Sequence, residues 1–171
     1  VDEEPVVEFL PGQYIGIEVK PTGGEYKEIR QYSLSDKPNG KTYRISVKRE
    51  ANEVPGLVSN FLHDEVKEGD TVNIYAPAGD FYFEERKAPT VLISAGVGIT
   101  PMQCMLETLS SQSHFGPVHY LHACENKAQH SFAQRTAELV ETNRWRQDIW
   151  YRDEKSEQPY IHHGFMDFSA V

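Results

Sequence analysis

The stretch TVLISAGVGITPMQCMLETL, residues 90–109, decides the fold of the C-terminal half of the chain. Residues 90–95 form a nearly continuous apolar run, which is typical of a parallel strand buried on both faces. A Gly-x-Gly loop follows at residues 96–98, and residues 102–111 have the pattern of a helix. A strand, a glycine loop and a helix in that order predict the start of an α/β nucleotide-binding unit.

The glycine loop has a physical reason to bind a diphosphate. Glycines let the backbone approach the phosphates closely, and the free N–H groups at the start of a helix face them. Pro101 suits the first helical turn, where its missing N–H costs nothing. It also stands where the GxGxxG fingerprint has its third glycine, and the nearest candidate for an acidic ribose partner, Glu125, comes only after the next strand. An ordinary tight β–α turn therefore remains the alternative.

The chain beyond this loop continues the same pattern. Residues 118–124 (VHYLHAC) predict a second buried strand, and residues 148–152 (DIWYR) predict a third. Between them, residues 131–142 predict a helix with one packed face, formed by Phe132, Thr136, Leu139 and Val140. The β-α-β-α-β order indicates an α/β domain, which usually needs about five strands, so we expect this domain to be C-terminally incomplete.

The N-terminal half is β-rich and predicts a small antiparallel barrel that begins one strand late. Short β-branched or aromatic runs alternate with turn signals at residues 13–19, 28–34, 42–49, 70–77 and 80–83. The Asn39-Gly40 pair predicts a tight hairpin turn, and residues 56–66 (GLVSNFLHDEV) predict one helix. The composition changes at Ala88-Pro89, which places a domain boundary near residue 87.

One strand of this half, which carries RQYS at residues 30–33, contains candidate ligand-binding groups. Arg30 could pair with a phosphate, Tyr32 could stack on a flat ring, and Ser33 could donate its hydroxyl to a ring nitrogen. Ser59 and Asn60, near the start of the predicted helix, mark a second anion site, and Tyr14 adds an aromatic ring one strand away. From the tetrapeptide alone, an ordinary solvated strand face is the competing interpretation.

Composition limits the classes of partner. The 171 residues carry a net charge of −9, from 26 acidic and 17 basic side chains, which argues against a broad nucleic-acid or anionic-membrane surface. The hydrophobic content of 39% suits one or two globular domains. We expect no transmembrane helix, because no apolar run reaches about 18 residues. The N-terminus has no signal-peptide pattern and no initiator Met, so the chain reads as a piece of something longer.

The cysteines and histidines predict no metal site. Cys104 and Cys124 lie in apolar runs without zinc-ligand spacing, which predicts free buried thiols and a reducing cytoplasm. His119 and His122 differ in strand parity and therefore face opposite sides of their sheet. His162-His163 is expected in a polar loop, and ordinary surface or core histidines are the interpretation throughout.

Taken together, the motifs resemble one family. P-G-Q-Y (11–14), R-Q-Y-S (30–33), V-K-R-E (47–50), G-L-V-S-N (56–60), P-A-G-D-F (77–81) and I-S-A-G-V-G-I-T-P-M (93–102) occur in this order. Their order and spacing resemble the ferredoxin-reductase-like flavin/nicotinamide module and, within it, the reductase part of bacterial flavohemoglobins, the nitric oxide dioxygenases. The resemblance runs from about Phe9 to Val171.

The resemblance implies a six-stranded antiparallel FAD-binding barrel over residues 1–87, with its first strand missing here, and a truncated parallel NAD(P)-binding α/β domain over residues 88–171. In the family, NAD(P)H gives a hydride to FAD, and electrons pass singly to a haem in an N-terminal globin domain, where oxygen-bound haem turns nitric oxide into nitrate. It therefore implies FAD and NAD(P)H as cofactors, with haem only in a globin domain absent from this chain. That globin domain is the expected partner, and the expected compartment is the cytoplasm.

The resemblance also assigns residues. Arg30 is implied at the FAD pyrophosphate, with Tyr32 and Ser33 beside the isoalloxazine as the catalytic pair and Ser33 near N5. The flavin-binding set that it implies is Tyr14, Arg30, Gln31, Tyr32, Ser33, Lys48, Arg49, Glu50, Val58, Ser59 and Asn60. The implied nicotinamide-nucleotide set is Gly96, Val97, Gly98, Ile99, Thr100 and Pro101. Glu125-Asn126 could reach an adenosine ribose. No basic residue nearby is placed to bind a 2′-phosphate, which favours NADH.

Three functions stay open at this point. The first is the reductase module of a nitric oxide dioxygenase. The second is a stand-alone flavin reductase or the reductase component of an oxygenase, which would use the same motifs with another acceptor. The third is a flavin-binding fragment without turnover, because the family's later strands, its Cys-Gly-Pro stretch and its C-terminal Phe-Gly-Pro segment are not in this sequence.

Overall fold

The computed structural model describes residues 5–22, 24–51, 53–84, 86, 88–112 and 116–170. The helices and strands in these ranges are β1 Tyr14–Val19, β2 Glu28–Ser33, α1 Leu57–Asp64, β3 Asn73–Ile74, β4 Thr90–Ala95, α2 Ile99–Ser111, β5 Val118–Cys124, α3 Ala133–Asn143, β6 Arg146–Tyr151 and β7 Ile161–His163. Short 3-10 turns occupy Gly96–Gly98, Lys127–Gln129 and Phe168–Ala170.

The N-terminal strands form an antiparallel sheet in the order β2-β1-β3. Its register places Tyr14 opposite Ser33 and Ile17 opposite Arg30. Isolated bridges join Tyr14 to Ala78 and Leu34 to Ile45. The predicted antiparallel fold is confirmed, but the described residues form three strands and two bridges in place of the six strands expected.

Local backbone chemistry explains the shorter strands. Pro77 has no N–H to donate, so regular pairing after β3 gives way to the single bridge at Ala78. The predicted strand over 42–49 pairs only at Ile45 and through the Ser35 N–H, which donates to the Arg44 carbonyl at 2.8 Å. The chain bends at Asn39-Gly40, where the Asn39 side chain accepts the N–H groups of Lys41 and Thr42 at 2.8 Å. The predicted tight hairpin is wrong, because the flanking segments pair at Leu34 and Ile45 and this bend is the tip of a longer loop.

The C-terminal strands form a parallel sheet in the order β4-β5-β6-β7. Helix α2 connects β4 to β5, and α3 connects β5 to β6, as the sequence predicts. The predicted burial of β4 on both faces is wrong, because Leu92 and Ser94 are buried while Val91 and Ile93 are exposed on the other face. On α3 the buried residues are Thr136, Leu139 and Val140, whereas Phe132 lies at the N-cap in a left-handed conformation with φ of 59°. That conformation is uncommon for an aromatic residue.

The fourth parallel strand was not predicted. The expectation of a polar loop at His162-His163 is wrong, because both residues lie in β7. A three-residue strand with two histidines has no apolar pattern to reveal it. It is stabilised by long-range contacts: the His162 ring stacks on Trp150 with centroids 4.7 Å apart, and its Nε2 lies 2.6 Å from a carboxylate oxygen of Asp148.

Two hydrophobic cores position the two sheets. The larger lies between the parallel sheet and helix α2, around Leu106, Leu109 and Tyr120. The smaller lies under the antiparallel sheet, around Ile15, Ile17 and Leu34, and it includes Cys104 from α2. Because Cys104 belongs to this smaller core, the two halves of the chain share packing. The domain boundary near residue 87 stays a prediction.

No helix in the described ranges is both long and apolar enough to cross a membrane.

Candidate functional site

A cavity of about 520 Å³ opens at the carboxyl ends of the parallel strands, where open α/β sheets bind their ligands. Its lining comes from both halves of the chain and consists of Ser46, Val47, Lys48, Ala95, Gly96, Val97, Ile99, Thr100, Ala123, Cys124, Glu125, Ala128, Gln129, Ser131, Phe132, Arg152, Gly164 and Phe165.

The glycine loop forms the β4 side of this cavity. Gly96 has φ of +51°, which favours glycine, and a Cβ added at Gly96 or Gly98 would meet nothing within 4 Å. Helix α2 begins at Ile99 without a side-chain cap from Gly98. The Thr100 hydroxyl donates to the Val97 carbonyl at 3.2 Å and stiffens the loop. The missing Cβ atoms thus leave open space directly above a helix start, which suits close approach by an anionic group.

The opposite wall comes from the N-terminal half. Ser46, Val47 and Lys48 line the cavity there, and no ion pair holds Lys48 within the described part of the chain. Beside them, the Arg44 guanidinium lies 5.9 Å from the ring centroid of Phe132 and also donates to the Ser35 carbonyl. This cation–π contact joins the two halves at the cavity wall.

Charged side chains follow the ends of β5 and β6. The Arg152 guanidinium lies 3.8 Å from Glu125 and 2.7 Å from Asp153. Hydrogen bonding to Asp153 raises the pKa of Arg152 and lowers the pKa of the Asp153 carboxyl. The backbone pairing continues past the strands, since Arg152 N–H donates to the Cys124 carbonyl at 3.0 Å. Arg152 is therefore a cation already partnered by two carboxylates.

The RQYS strand presents its side chains to two faces. Because residues alternate along β2 and pair with β1 in the register above, Tyr32 lies opposite Ile15, and Ser33 lies opposite Tyr14. Tyr32 packs partly against the smaller core, and this burial raises its pKa. Tyr14 and Ser33 thus share one face, while Arg30 and Tyr32 share the other.

Arg30 is exposed and, among the residues that the structure describes, makes only local contacts. Its Nη1 lies 2.9 Å from Glu28 and 2.8 Å from the carbonyl of Ile29. An exposed ion pair of this kind is worth about 0–1 kcal/mol. A phosphate could therefore replace Glu28 as the partner of this guanidinium at little cost.

Tyr14 is held in place by a glycine. A Cβ added at Gly79 would lie 2.9 Å from the Tyr14 ring, and Gly79 has φ of +113°. The Tyr14 backbone exchanges hydrogen bonds with Ala78 at 3.0 and 2.9 Å. The glycine in the PAGDF segment therefore makes room for the aromatic ring.

Around α1, the predicted anion ligands are occupied by the chain itself. The Ser59 hydroxyl donates to the Gly56 carbonyl and accepts the Glu50 N–H, both at 3.2 Å. The Asn60 amide donates to the carbonyls of Glu50 and Gly56 at 2.9 and 2.7 Å, and its oxygen accepts from Arg49. Val58 is buried in the smaller core. These side chains fix the loop that precedes α1, which leaves backbone N–H groups as the groups able to meet an anion there.

A buried histidine pair lies behind the cavity wall. The His122 and His130 rings stack with centroids 4.8 Å apart. His122 Nδ1 lies 2.8 Å from the Ser94 hydroxyl, and His130 Nδ1 lies 2.9 Å from the Tyr151 hydroxyl. Burial lowers the pKa of His122 to about 3 and that of His130 to about 4, so both rings are neutral at pH 7.

The other sheet face holds a second cluster. Asp148 is buried and lies 2.7 Å from His119 and 3.0 Å from Arg146. His119 and His122 thus face opposite sides of the sheet, as their parity predicts. Among the described residues, no group of three or more His, Cys, Asp or Glu side chains is placed to hold a metal ion.

The structure brings part of the predicted set together. Gly96, Val97, Ile99 and Thr100 line the cavity with Lys48. The other predicted residues lie outside its lining: Tyr14, Arg30, Gln31, Tyr32, Ser33, Arg49, Glu50, Val58, Ser59, Asn60, Gly98 and Pro101. Cavity residues that were not predicted for the site include Ser46, Arg152 and Phe165, and also Phe132, which was predicted only for the packed face of a helix. Only Arg152, at the end of the strand predicted over residues 148–152, carried a signal for its position.

Two family models match the chain. The oxidoreductase FAD-binding domain matches residues 2–83, and the oxidoreductase NAD-binding domain matches residues 92–171. A flavohemoprotein of Vibrio cholerae serotype O1 is 57% identical over 158 residues, which is 91% of this chain and 40% of that protein. A crystal structure of the flavohem-like FAD/NAD-binding domain of nitric oxide dioxygenase from Vibrio cholerae O1 is 53% identical, with a TM-score of 0.94, and covers all of this chain and 72% of that one.

The chain belongs to the flavohemoglobin family. It comprises FAD- and NAD-binding oxidoreductase domains and spans about 40% of the length of the curated flavohemoprotein that it matches. The Amycolatopsis cytochrome P450 reductase GcoB is also similar, with 29% identity, a TM-score of 0.78, and coverage of 95% of this chain and 48% of that one. The FAD/NAD-binding fold of this chain is thus similar to that of a reductase named for a cytochrome P450.

The residues present fit the two nucleotides of this family. Open space above Gly96 and Gly98 admits a diphosphate that a Cβ would obstruct. On the other half, Arg30 exposes a guanidinium whose present partner is a weak one. Tyr14 and Ser33 offer an aromatic ring and a hydroxyl on one strand face. Both sites therefore contain the groups that FAD and a nicotinamide dinucleotide require.

Proposed function

We propose that this chain is the reductase module of a flavohemoglobin-type nitric oxide dioxygenase. In this role it oxidises NAD(P)H and delivers the electrons, through its flavin, to a haem in an N-terminal globin domain, which supports conversion of nitric oxide and oxygen to nitrate. The observation that carries the proposal is the shared cavity, where the glycine loop of one half faces Ser46–Lys48 of the other. Hydride transfer needs the two nucleotides to meet between the two halves.

On the flavin side, the flavin binds at the end of β1 and β2, where Tyr14 and Ser33 meet it from one sheet face and Tyr32 from the other, while Arg30 pairs with the pyrophosphate. Ser33 places a hydroxyl near the ring nitrogen N5. Tyr32 and Ser33 are therefore the residues nearest the reacting atoms, with Gln31 contributing backbone from the same strand. When bound, FAD supplies a two-electron acceptor that can release its electrons singly.

The remaining flavin contacts come from the loop that contains Glu50 and from the start of α1. The side chains of Ser59 and Asn60 hold these two segments together. Backbone N–H groups at the start of α1, near Val58 and Ser59, face the pyrophosphate, while the two side chains hold the loop at Glu50 and Gly56. Lys48 adds positive charge at the edge of the cavity. Arg49 is occupied by Asp64, with two bonds of 2.8 and 2.6 Å, so it acts through the position of α1.

On the nicotinamide side, the loop from Gly96 to Pro101 holds the diphosphate of NAD(P)H. Glu125 lies at the end of β5, where an acidic side chain can accept hydrogen bonds from a ribose diol. It would repel a 2′-phosphate, and Arg152 is already paired with Glu125 and Asp153. These charges favour NADH over NADPH.

The partner and compartment follow from the same proposal. The globin domain is the electron acceptor, no metal and no nucleic acid bind this chain, and the protein works in the cytoplasm. The two cysteines are free thiols, which suits a reducing compartment.

A second candidate is the reductase component of another oxygenase system. The similarity to the P450 reductase GcoB favours it, because the same fold then serves a different acceptor. A third candidate is a flavin-binding chain without turnover, because Tyr14, Arg30, Tyr32 and Ser33 lie outside the lining of the cavity at the glycine loop.

One experiment separates these functions. The purified chain is loaded with FAD, its absorbance is recorded, and NADH is added without oxygen. Bleaching of the flavin supports either reductase, and a separately added globin domain of the family then distinguishes the haem as acceptor from a P450-type partner. A yellow protein that NADH does not bleach supports the third candidate, and a protein that binds no flavin contradicts all three.

A further inference from the structure

Phe132 has a backbone conformation that aromatic residues seldom adopt. Its φ of 59° and ψ of 10° lie in the left-handed region, and such a conformation persists only where the surrounding structure imposes it. On one side, the Phe132 carbonyl accepts the N–H of Thr136 at 2.8 Å, and buried Thr136 donates its hydroxyl to Gln103 of α2 at 3.0 Å. On the other side, Nδ1 of buried His130 lies 2.9 Å from the Tyr151 hydroxyl. Buried groups therefore hold Phe132 from both directions along the chain.

This conformation places the Phe132 ring at the boundary between the two halves of the chain. The side chain packs against the larger core and also lines the cavity. Its ring centroid lies 5.9 Å from the guanidinium carbon of Arg44, which belongs to the FAD-binding half. Because the face of an aromatic ring attracts a cation, this contact stabilises one arrangement of the two halves.

Arg44 is in turn fixed to the flavin-side wall of the cavity. Its guanidinium donates to the Ser35 carbonyl, its Nε lies 3.3 Å from the Ser35 hydroxyl, and it pairs with the Asp36 carboxylate at 3.5 Å. Ser35 is fully buried, and its hydroxyl lies 2.9 Å from the hydroxyl of Ser46, which lines the cavity. Arg44 is thus connected to one wall of the cavity, and Phe132 belongs to the other.

The spacing between these walls matters for the proposed reaction. Hydride transfer breaks the C4–H bond of the dihydronicotinamide and forms an N–H bond at N5 of the flavin. Both electrons travel with the hydrogen, so NADH becomes NAD⁺ as the flavin is reduced. The reacting atoms must approach to about 3–3.5 Å, and a displacement of about 1 Å costs about a hundredfold in rate. The chain therefore needs a device that fixes the two walls relative to each other.

We infer that the contact between Arg44 and Phe132 sets the spacing of the two cavity walls for hydride transfer, an inference that rests on the proposed function. Both are positioning residues, since they act through the relative placement of the two halves. The competing role for Phe132 is direct contact with the dinucleotide, because its side chain lines the cavity. Loss of the ring would then weaken dinucleotide binding, whereas loss of the spacing slows the transfer and leaves binding intact.

The test uses the FAD-loaded chain and three measurements. The first is the rate of anaerobic flavin bleaching at saturating NADH, and the second is NAD⁺ affinity by calorimetric titration. The third is the long-wavelength charge-transfer absorbance that a nicotinamide ring gives when it stacks on a flavin, recorded with NAD⁺ and dithionite-reduced protein. Phe132→Leu and Arg44→Met are each expected to slow bleaching at least about tenfold and to weaken the charge-transfer band, because the rings no longer meet at the same distance. NAD⁺ affinity and FAD content are expected to stay the same.

Two further variants sharpen the test. Phe132→Tyr keeps the aromatic face and is expected to keep the wild-type rate and band. The double variant Phe132→Leu/Arg44→Met is expected to be no slower than either single variant, because both changes remove one contact. Phe168→Ala is the matched control, since Phe168 is exposed, at 57%, and does not line the cavity. It is expected to behave as the wild type does.

Several results would overturn the inference. These are a wild-type rate and band in Arg44→Met, losses that multiply in the double variant, and a loss of NAD⁺ affinity in Phe132→Leu as large as its loss of rate. Arg44 is exposed, so Arg44→Met keeps the test decisive if Phe132→Leu does not fold. A wild-type chain that binds FAD but is not bleached by NADH would overturn the proposed function itself.

Discussion

Cys104 of helix α2 is fully buried in the hydrophobic core under the antiparallel sheet, and its thiol donates a 3.0 Å hydrogen bond to the backbone carbonyl of Asp36. Burial raises the pKa of this thiol to about 12, so it stays protonated as a donor. A helix of the NAD-binding half thus contributes a side chain to the core of the FAD-binding half. This shared packing fixes the wall of the cavity between them.

Replacing Cys104 should therefore destabilise both halves together. Cys104→Ala removes the sulfur from a closed core and leaves the Asp36 carbonyl without its donor, so we expect the free energy of unfolding to fall by about 1–3 kcal/mol. Urea denaturation measures this change. Cys124→Ala, at a half-buried site, is the matched control and should cost less. Equal losses in the two variants would contradict the assigned role of Cys104.

Acid should destabilise the protein through His122 and His130. Their folded pKa values, about 3 and about 4, lie below the unfolded value of about 6.5. Between pH 6.5 and 4 the unfolded chain binds protons that the native chain does not, so stability is complete above pH 6.5 and falls with pH below it. The limiting slope is about 1.4 kcal/mol per pH unit for each histidine.

This pH dependence can be measured by urea denaturation at pH 8, 6.5 and 5. Burial raises the pKa of the Asp148 carboxyl, but the bonds to His162 and His119 and the charge of Arg146 together lower this pKa below its ordinary value of 3.8. Its contribution to stability is therefore lost only below this window. His130→Gln is expected to reduce the slope between pH 6.5 and 5. A stability that does not change from pH 8 to pH 5 would contradict neutral burial of the pair.

Much of the fold was predictable because its signals are local. The apolar strands at residues 90–95 and 118–124, the glycine loop and the turn at Asn39-Gly40 each depend on neighbours in sequence. Strand β7 was not predictable, because His162 is stabilised by Trp150 and Asp148, which lie far away in sequence. Tertiary contacts override a weak local pattern in such cases.

The site was predictable to a similar extent and for the same reason. The residue type of Gly96 and Gly98 predicts open space in the loop, and Gly96 lines the cavity. Ser59 and Asn60 were predicted to meet an anion, yet their side chains bind Glu50 and Gly56, which no spacing rule reveals. Phe165 reaches the cavity only because β7 forms.

Arg30 should determine flavin retention. Arg30→Ala removes the charge expected at the pyrophosphate, and we expect FAD to dissociate at least about tenfold more readily, since a charge-assisted hydrogen bond is worth about 1.5–3 kcal/mol. Flavin fluorescence on dilution measures the dissociation constant. Arg86→Ala is the matched control, because Arg86 pairs with Glu84 at 3.1 Å in the same i, i−2 arrangement as Arg30 with Glu28. Unchanged FAD affinity in Arg30→Ala would show that Arg30 does not bind the FAD pyrophosphate.

Replacing Gly98 should weaken nucleotide binding without changing the stability of the protein. Its φ of −62° is open to any residue, and an added Cβ meets no protein atom, so Gly98→Ala should change the free energy of unfolding by less than about 0.5 kcal/mol. The methyl group would instead occupy the space for the diphosphate, and we expect NAD⁺ to bind at least about tenfold more weakly. FAD content serves as the internal control. Unchanged NAD⁺ affinity would show that the dinucleotide does not approach this loop.

The most direct test of the account is the anaerobic reaction of the FAD-loaded chain with NADH and with NADH that carries deuterium at C4 of the nicotinamide. If the cavity brings the two rings together, the flavin absorbance bleaches, and the deuterated substrate bleaches it more slowly because the C–H bond breaks in that step. The Gly98→Ala variant should need a higher NADH concentration to reach the same rate of flavin bleaching. A flavin that stays yellow with saturating NADH would contradict the claim that this cavity supports hydride transfer.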